Sequence, residues 1–150
     1  MGHDEDMNGK DRNIEGWPDI VYSAMLVSLI MVMVGGAVGS ALRFLVGLMI
    51  PTSPGHVPVA TLIINLAGSA VLGAISMLSA RYDLVSKDMA LLLGTGLCGG
   101  FTTFSTFSVE LMMLVDVDRY VVAALYLVAS TVGGITAAFA GAAIARMAAS

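Results

Sequence analysis

Long apolar runs separated by short polar stretches make up the chain after residue 20. Four runs are long enough for a membrane-spanning helix, which needs about 20 mostly apolar residues. They cover residues 22–50, 58–80, 89–115 and 120–146. Because the connections are short, consecutive helices must run in opposite directions. The pattern therefore predicts an all-α membrane protein with four transmembrane helices.

The first twenty residues break this pattern because they are polar and acidic. They hold six of the eleven carboxylates of the chain, and a segment with so little apolar surface cannot build a packed core. We predict a disordered or surface-lying tail at residues 1–20 and one transmembrane channel domain at residues 21–150. A cleavable signal peptide is not expected, since the apolar run that follows is too long.

Composition supports a membrane protein and argues against several other classes. Hydrophobic residues make up 57% of the chain and the mean hydropathy is +0.89, outside the range of soluble domains. Lys and Arg are scattered, so no nucleic-acid surface is expected. Cys98 is the single cysteine, which favours a small buried thiol. Paired carboxylates, a nucleophile with a general base and a phosphate loop are all missing from the sequence, so an enzyme is not expected.

Small residues recur at helix-packing spacing in the first and last spans. Gly35 and Gly39 have GxxxG spacing, and the series Gly133, Ala137, Gly141 repeats the device in the fourth span. Such residues let membrane helices approach closely. The connection "PTSPGHVP" after the first span predicts a stiff turn, with a helix starting near Pro58 and with His56 as a solvated loop residue.

The third span has an unusual density of glycine. The stretch "LLLGTGLCGGFTTF" places four glycines within seven residues, and glycine loosens a helix. A break inside the membrane is tolerated where protein or water satisfies the freed backbone groups. We therefore predict a helix break near Gly99–Thr102, whose free carbonyls and amide hydrogens can coordinate ions.

Phenyl and hydroxyl side chains alternate after the predicted break. They form separate stripes along the helix, at Phe101, Phe104 and Phe107 and at Thr102, Thr103, Ser105, Thr106 and Ser108. A single hydroxyl can bond back to its own helix, but five within seven residues indicate a polar lining. Hydroxyl donors and the positive edges of phenyl rings suit a small, hard anion.

Three further polar residues lie in or at the ends of the spans. Asn65 must find hydrogen-bond partners, either as a link between helices or as an anion contact. Arg43 can concentrate anions at a vestibule. Glu110 can bond to the hydroxyls or take part in anion or proton handling, and the sequence leaves these alternatives open.

Three motifs together resemble the Fluc fluoride channel family, also called CrcB. They read "GGAVGSALRF", "ATLIINLAGSAVLG" and "GLCGGFTTFSTFSVE" and occur in the order of that family, and the resemblance spans residues 35–146. It implies a fluoride-selective channel of the cell membrane that exports cytoplasmic fluoride passively. It also implies an antiparallel, dual-topology dimer with two pores and a structural sodium ion at its centre.

On the matching positions, the resemblance assigns roles to individual residues. The backbone carbonyls of Gly99 and Thr102 would hold the sodium ion. Arg43 would stand at the aqueous entrance, and Glu110 matches the acidic residue of the third helix. The implied pore residues are Asn65, Phe104, Phe107, Ser105, Thr106, Ser108, Tyr126, Ser130 and Thr136.

The distribution of positive charge bears on the partner subunit. An antiparallel homodimer needs chains that insert in both orientations, hence little difference in Lys and Arg between the two sides. Arg119 lies on one side of the predicted topology, and five cations lie on the other: Lys10, Arg12, Arg81, Lys87 and Arg146. We expect a homodimer, and a related chain of opposite orientation is the alternative partner.

Two other classes fit parts of the pattern. A small four-span multidrug transporter would carry a Glu in its first span, and residues 22–50 contain none. A non-transporting assembly subunit would explain the close-packing glycines but not a broken helix followed by five hydroxyls. Anion flux in liposomes separates such a subunit from a channel.

Overall fold

The computed structural model describes residues 17–149, with side chains from residue 21 onward. Its four spans are α1 (Trp17–Met49), α2 (Val59–Ala80), a third span at Lys87–Asp116, and a final helix at Tyr120–Ala149. Each is long and apolar enough to cross a membrane, which confirms the predicted fold class. Of the predicted tail at residues 1–20, residues 1–16 lie outside the described residues. Residues 17–20 belong to α1, which begins at Trp17.

The third span consists of two helical halves. The first half contains α3 (Lys87–Ala90), a π-helical segment (Leu91–Cys98) and α4 (Gly99–Phe101). Thr102 and Thr103 are extended, with ψ angles of 159° and 117°. The second half is α5 (Phe104–Asp116), and the final span is α6 (Tyr120–Ala149). The predicted break is therefore present, at the C-terminal edge of the predicted range.

Glycine does not cause the break, contrary to the reasoning from glycine density. Gly99 is helical, with φ −63° and ψ −38°. The glycines instead allow backbone contact between α1 and the first half of the third span. A Cβ on Gly100 would lie 2.9 Å from the Cα of Gly36, and a Cβ on Gly96 would lie 3.0 Å from the Cα of Gly35. The expected close packing of the first span is thus confirmed.

Helix α2 packs along α6, where the small residues of the fourth span serve the same purpose. A Cβ on Gly141 would clash with the backbone of Ala70, and one on Gly73 with the backbone of Ala138. The described part of the chain has a small buried cluster formed by Phe107, Leu114, Ala123 and Tyr126 between α5 and α6. Cys98 is 1% exposed, as expected of a buried thiol.

The loop between α1 and α2 is held by the start of the final span. The Nε–H of Arg119 donates to the carbonyl of Gly55 at 3.1 Å. Gly55 has φ +76°, a conformation that glycine adopts without strain. His56 is exposed in this loop, as the sequence predicted.

Candidate functional site

The candidate site lies where α2 passes the break in the third span. The side chain of Asn65 in α2 faces the extended residue Thr103 and makes two hydrogen bonds to its backbone. The Thr103 N–H donates to Oδ1 at 2.8 Å, and Nδ2 donates to the Thr103 carbonyl at 3.1 Å. An amide side chain can do this because it carries both a donor and an acceptor. Asn65 therefore satisfies both backbone groups of Thr103, which the break exposes within the membrane.

The hydroxyl of Thr103 caps α5. Its Oγ1 accepts a hydrogen bond from the Thr106 N–H at 3.1 Å, as an N-cap side chain does. It also donates to the Thr106 hydroxyl at 3.0 Å and lies 3.2 Å from the Ser105 hydroxyl. Three of the predicted hydroxyls, those of Thr103, Ser105 and Thr106, thus form one connected cluster at the start of α5.

Other predicted hydroxyls bond to their own helix. Ser108 donates to the carbonyl of Phe104 at 2.8 Å, and Thr136 to that of Val132 at 2.8 Å. Thr102 donates to the carbonyl of Cys98 at 2.9 Å. Such back-bonding occupies the hydroxyl proton but leaves the oxygen lone pairs available. Thr136 is also exposed on α6, away from the cluster at Thr103.

Glu110 accepts two short hydrogen bonds from side chains of neighbouring helices. Thr61 of α2 donates to Oε1 at 2.8 Å, and Tyr126 of α6 donates to Oε2 at 2.7 Å. Tyr126 is 0% exposed and Thr61 is 4% exposed. These donors compensate the carboxylate for part of its lost hydration. Glu110 thus ties α5 to both α2 and α6.

Sequence reasoning missed Thr61. It lies four residues before Asn65, so both side chains project from the same face of α2. The four-residue spacing between Thr61 and Asn65 was the sequence signal that could have identified Thr61 as a site residue. Without knowing which helix faces α2, however, a threonine three residues after Pro58 could not be distinguished from an ordinary helix-start residue.

Three aromatic rings continue from the break toward α6. The rings of Phe104 and Phe107 lie 5.7 Å apart between centroids, and those of Phe107 and Tyr126 lie 5.1 Å apart, edge to face. Phe107 is 5% exposed, whereas Phe104 is 79% exposed. One turn beyond Tyr126, the buried oxygen of Ser130 has no hydrogen-bond partner among the described residues.

A cleft joins Arg43 to these groups. It has a volume of about 210 Å³. Its polar lining consists of Thr52 from the loop after α1 and, from three spans, Arg43, Thr61, Thr103, Thr106 and Glu110. On the other side of Thr103, a second cavity of about 210 Å³ is lined by Asn65, Ser69, Thr102 and Phe104, among others. We call these the Arg43 cleft and the Asn65 cavity. Six of the thirteen predicted site residues therefore line these two cavities on either side of Thr103: Arg43, Asn65, Thr102, Phe104, Thr106 and Glu110.

The predicted sodium ligands lie at the surface of the described chain. Gly99 is exposed, and a Cβ built on it would have no atom within 4 Å beyond its own local backbone. Thr102 is half-buried, and its methyl group packs against Gly68. No group of three His, Cys, Asp or Glu side chains within residues 17–149 is arranged to hold a metal.

Comparisons with known proteins agree with the resemblance that the three sequence motifs indicate. A family model described as "CrcB-like protein, Camphor Resistance (CrcB)" matches residues 30–142. A protein named "Fluoride-specific ion channel FluC" from Chlorobium phaeobacteroides (strain BS1) is 44% identical over 120 residues, which cover 80% of this chain and 94% of that protein. A protein of the same name from Oceanobacillus iheyensis is 44% identical over 114 residues, covering 76% and 88% of the two chains. The residues matched by the family model include every candidate residue from Arg43 to Thr136.

Proposed function

The chain belongs to the CrcB family of fluoride-specific ion channels, and we propose that it conducts fluoride passively out of the cytoplasm along the Arg43 cleft and the Asn65 cavity. The observation that carries this proposal is the continuous set of donors at the break. Arg43 and the hydroxyls of Thr103 and Thr106 border the first cavity, and Asn65 borders the second. The Ser105 hydroxyl lies within hydrogen-bond distance of that of Thr103. In the low dielectric of a membrane, such donors replace the water around a small anion.

We assign the entrance to Arg43 and the narrow part to the residues at the start of α5. The guanidinium attracts anions into the cleft. Beyond it, the second N–H of Asn65 and the hydroxyls of Ser105 and Thr106 offer hydrogen bonds. The N-terminus of α5 adds the positive end of a helix dipole. All of these groups favour an anion over a cation.

The phenyl rings continue this path in the proposal. Ring edges carry partial positive charge and can contact an anion that has lost its water. Phe104 projects from its own chain, while Phe107 is fixed against Tyr126. We further assign Ser108, Tyr126, Ser130 and Thr136 to the pore wall. Ser130 lies one turn beyond Tyr126, and its buried hydroxyl supports its own assignment because a polar group in a membrane interior requires a partner.

Glu110 is assigned a positioning role. Its two carboxylate oxygens already accept hydrogen bonds from Thr61 and Tyr126. A carboxylate held in this way fixes the three helices around the Arg43 cleft. It also directs the proton of each donor toward itself and away from the anion path.

We propose that two chains assemble in antiparallel orientation and hold one structural sodium ion between them. Carbonyl oxygens suit this hard cation. The carbonyls of Gly99 and Thr102 fit because the helix donors that would normally reach them are directed elsewhere: Thr103 N–H to Asn65, and Thr106 N–H to the Thr103 hydroxyl. When bound, the ion would neutralise the carbonyl ends of both broken helices and thereby join the two subunits.

Fluoride efflux from liposomes tests the proposed function. Purified protein is reconstituted in vesicles loaded with fluoride, and release is read with a fluoride electrode, with a parallel chloride experiment as the control. Rapid fluoride release without chloride release is expected. A well-folded dimer that releases no fluoride would contradict the proposal and favour an assembly subunit.

Labelling of a loop cysteine tests the homodimer. Ser53 is exposed in the loop between α1 and α2, and Cys98 is 1% exposed, so the native thiol does not compete for a reagent. In an antiparallel homodimer, Ser53→Cys should be labelled by an impermeant maleimide from both sides of the membrane. Labelling from one side only would instead require a partner chain of opposite orientation.

A further inference from the structure

Asn65 and Thr103 accept the two N–H donors that a continuous helix would direct to the carbonyls of Gly99 and Thr102. We propose that they are the positioning residues of the cation site, so that the amide in the anion path also prepares the carbonyls of Gly99 and Thr102 for sodium. This inference rests on the proposed function. It goes beyond that function because it assigns to Asn65 an effect on the cation that is independent of any contact with fluoride.

The assignment follows from the hydrogen bonds of the third span. In a continuous α-helix, each N–H donates to the carbonyl four residues earlier. The last such bond before the break is present, from the Thr102 N–H to the Cys98 carbonyl at 2.9 Å. The next one would run from Thr103 to Gly99. The Thr103 N–H instead donates to Asn65 Oδ1 at 2.8 Å, so the side chain takes the donor that Gly99 would have received.

Thr103 has the same effect on Thr102. A helix bond would run from the Thr106 N–H to the Thr102 carbonyl. That N–H instead donates to Thr103 Oγ1 at 3.1 Å. The two carbonyls proposed as sodium ligands are therefore two whose helical donors are taken by a neighbouring side chain. Each is released by a different residue, and each residue can be altered separately.

The Asn65 side chain also prevents the break from closing. Its Nδ2 holds the Thr103 carbonyl at 3.1 Å while Oδ1 holds the N–H, so the peptide groups on both sides of Thr103 are fixed in the extended conformation. Nδ2 carries a second hydrogen, which remains for an anion. Loss of the side chain should thus weaken two sites at once: the anion contact directly, and the cation site through the backbone.

Three substitutions of similar volume separate these effects. Asn65→Leu removes both bonds to Thr103. Thr103→Val removes only the hydroxyl that accepts from Thr106, so that α5 loses its N-cap directly after the Thr102 carbonyl while Asn65 still holds Thr103 extended. Thr131→Val is the matched control, because it removes a hydroxyl that bonds back to its own helix on α6 and that lines neither the Arg43 cleft nor the Asn65 cavity. Thr103→Ser, which keeps the hydroxyl, should restore wild-type behaviour.

The measurement is the fraction of dimer in detergent as a function of sodium concentration, with N-methyl-D-glucamine as the replacement cation. It does not depend on fluoride flux. Residues that orient metal ligands typically change metal affinity by about 10- to 100-fold when mutated. We expect the sodium concentration at half-dimerisation to rise by about that factor in Asn65→Leu and Thr103→Val, and to stay close to the wild-type value in Thr131→Val and Thr103→Ser.

Different outcomes identify different failures. If Asn65→Leu loses fluoride flux but keeps the wild-type sodium dependence, the inference is overturned and Asn65 acts on the anion alone. If Asn65→Leu does not fold, Thr103→Val decides, and a wild-type midpoint in that variant overturns the inference. A wild-type dimer that is indifferent to sodium would refute the sodium part of the proposed function, and the inference with it. Fluoride flux in liposomes is a separate measurement, so loss of that function would be recognised independently.

Discussion

Gly100 lies in a close backbone contact between α1 and the third span, and Gly100→Ala tests whether that contact positions the break. The new Cβ would lie 2.9 Å from the Cα of Gly36 and closer still to its carbonyl oxygen. Ordinary van der Waals contacts begin near 3.4 Å. Because both partners are backbone, no side chain can rotate away. The two helices must therefore separate by about half an ångström or more, which loses part of the dispersion energy along the contact.

The expected cost can be estimated from overpacked protein interiors. Inserting a methyl group into a well-packed contact typically costs about 1–3 kcal/mol. For a chain of this size, that corresponds to a decrease in the midpoint of thermal unfolding of roughly 2–12 °C. Fluoride flux should fall as well, since α4 leads directly into Thr102 and Thr103. We would measure the midpoint by size-exclusion chromatography of heated, fluorescently tagged protein in detergent.

The matched control is Gly134→Ala, at the contact between α6 and α2. There a Cβ would lie 3.7 Å from the Ser69 hydroxyl, which is an ordinary contact. The free energy of unfolding of this variant should stay within about 0.5 kcal/mol of the wild-type value, so the two midpoints should be nearly equal. Equal midpoints for Gly100→Ala and wild type would refute the reasoning, because they would show that α1 can move away from the break at no cost.

Three further predictions concern the site itself. Phe104→Ile and Phe107→Ile should each suppress fluoride flux in liposomes while dimers persist on gel filtration, and wild-type flux in both variants would exclude a pore role. Phe107→Ile should also lose about 0.5–1.5 kcal/mol of stability, because it removes the ring pair with Tyr126. Gly99→Ala should reduce dimer formation at low sodium without lowering the stability of the separated chain, since the methyl group meets no atom within 4 Å beyond its local backbone. An unchanged fraction of dimer would argue against this surface as the interface. Tyr126→Phe removes a 2.7 Å hydrogen bond to Glu110 and should cost about 1.5–3 kcal/mol of stability, which urea titration would detect. An unchanged unfolding midpoint would mean that the hydrogen bond from Thr61 is sufficient to stabilise the Glu110 carboxylate.

The spans and the position of the break were predictable because their signals are local. Four runs of apolar residues are sufficient for a helical membrane fold, and the change in pattern at "GGFTT" locates the interruption to within a few residues. The cause of the break was not predictable in the same way. Asn65 is separated from Thr103 by 38 positions in the sequence, and glycine density alone suggested a weak helix where the structure has a tight crossing.

The pairing of Glu110 shows the same limit on sequence reasoning. An acidic residue near the end of a span was identified as functional because a buried carboxylate is costly. Its two donors come from other helices, at Thr61 and Tyr126, and their contribution depends on how α2 and α6 pack against α5. The pattern could thus name the residue but could not decide between the roles left open for it.

The depth of the polar residues gives a structural reason for an antiparallel pair. Thr61 and Asn65 are the third and seventh residues of α2, so at 1.5 Å per residue they lie within about 10 Å of its start. Tyr126 is the seventh residue of α6, which starts on the same side of the membrane. Toward the opposite side, α1 and the first half of the third span are in backbone contact at their glycines and leave no room between them. Apart from Ser130 and Thr136, which lie further along α6, one chain therefore supplies its site side chains within about half of the membrane thickness. An inverted second chain would supply the other half and would bring its own break to the same depth, which is where the carbonyls of Gly99 and Thr102 lie in the assembly that we propose.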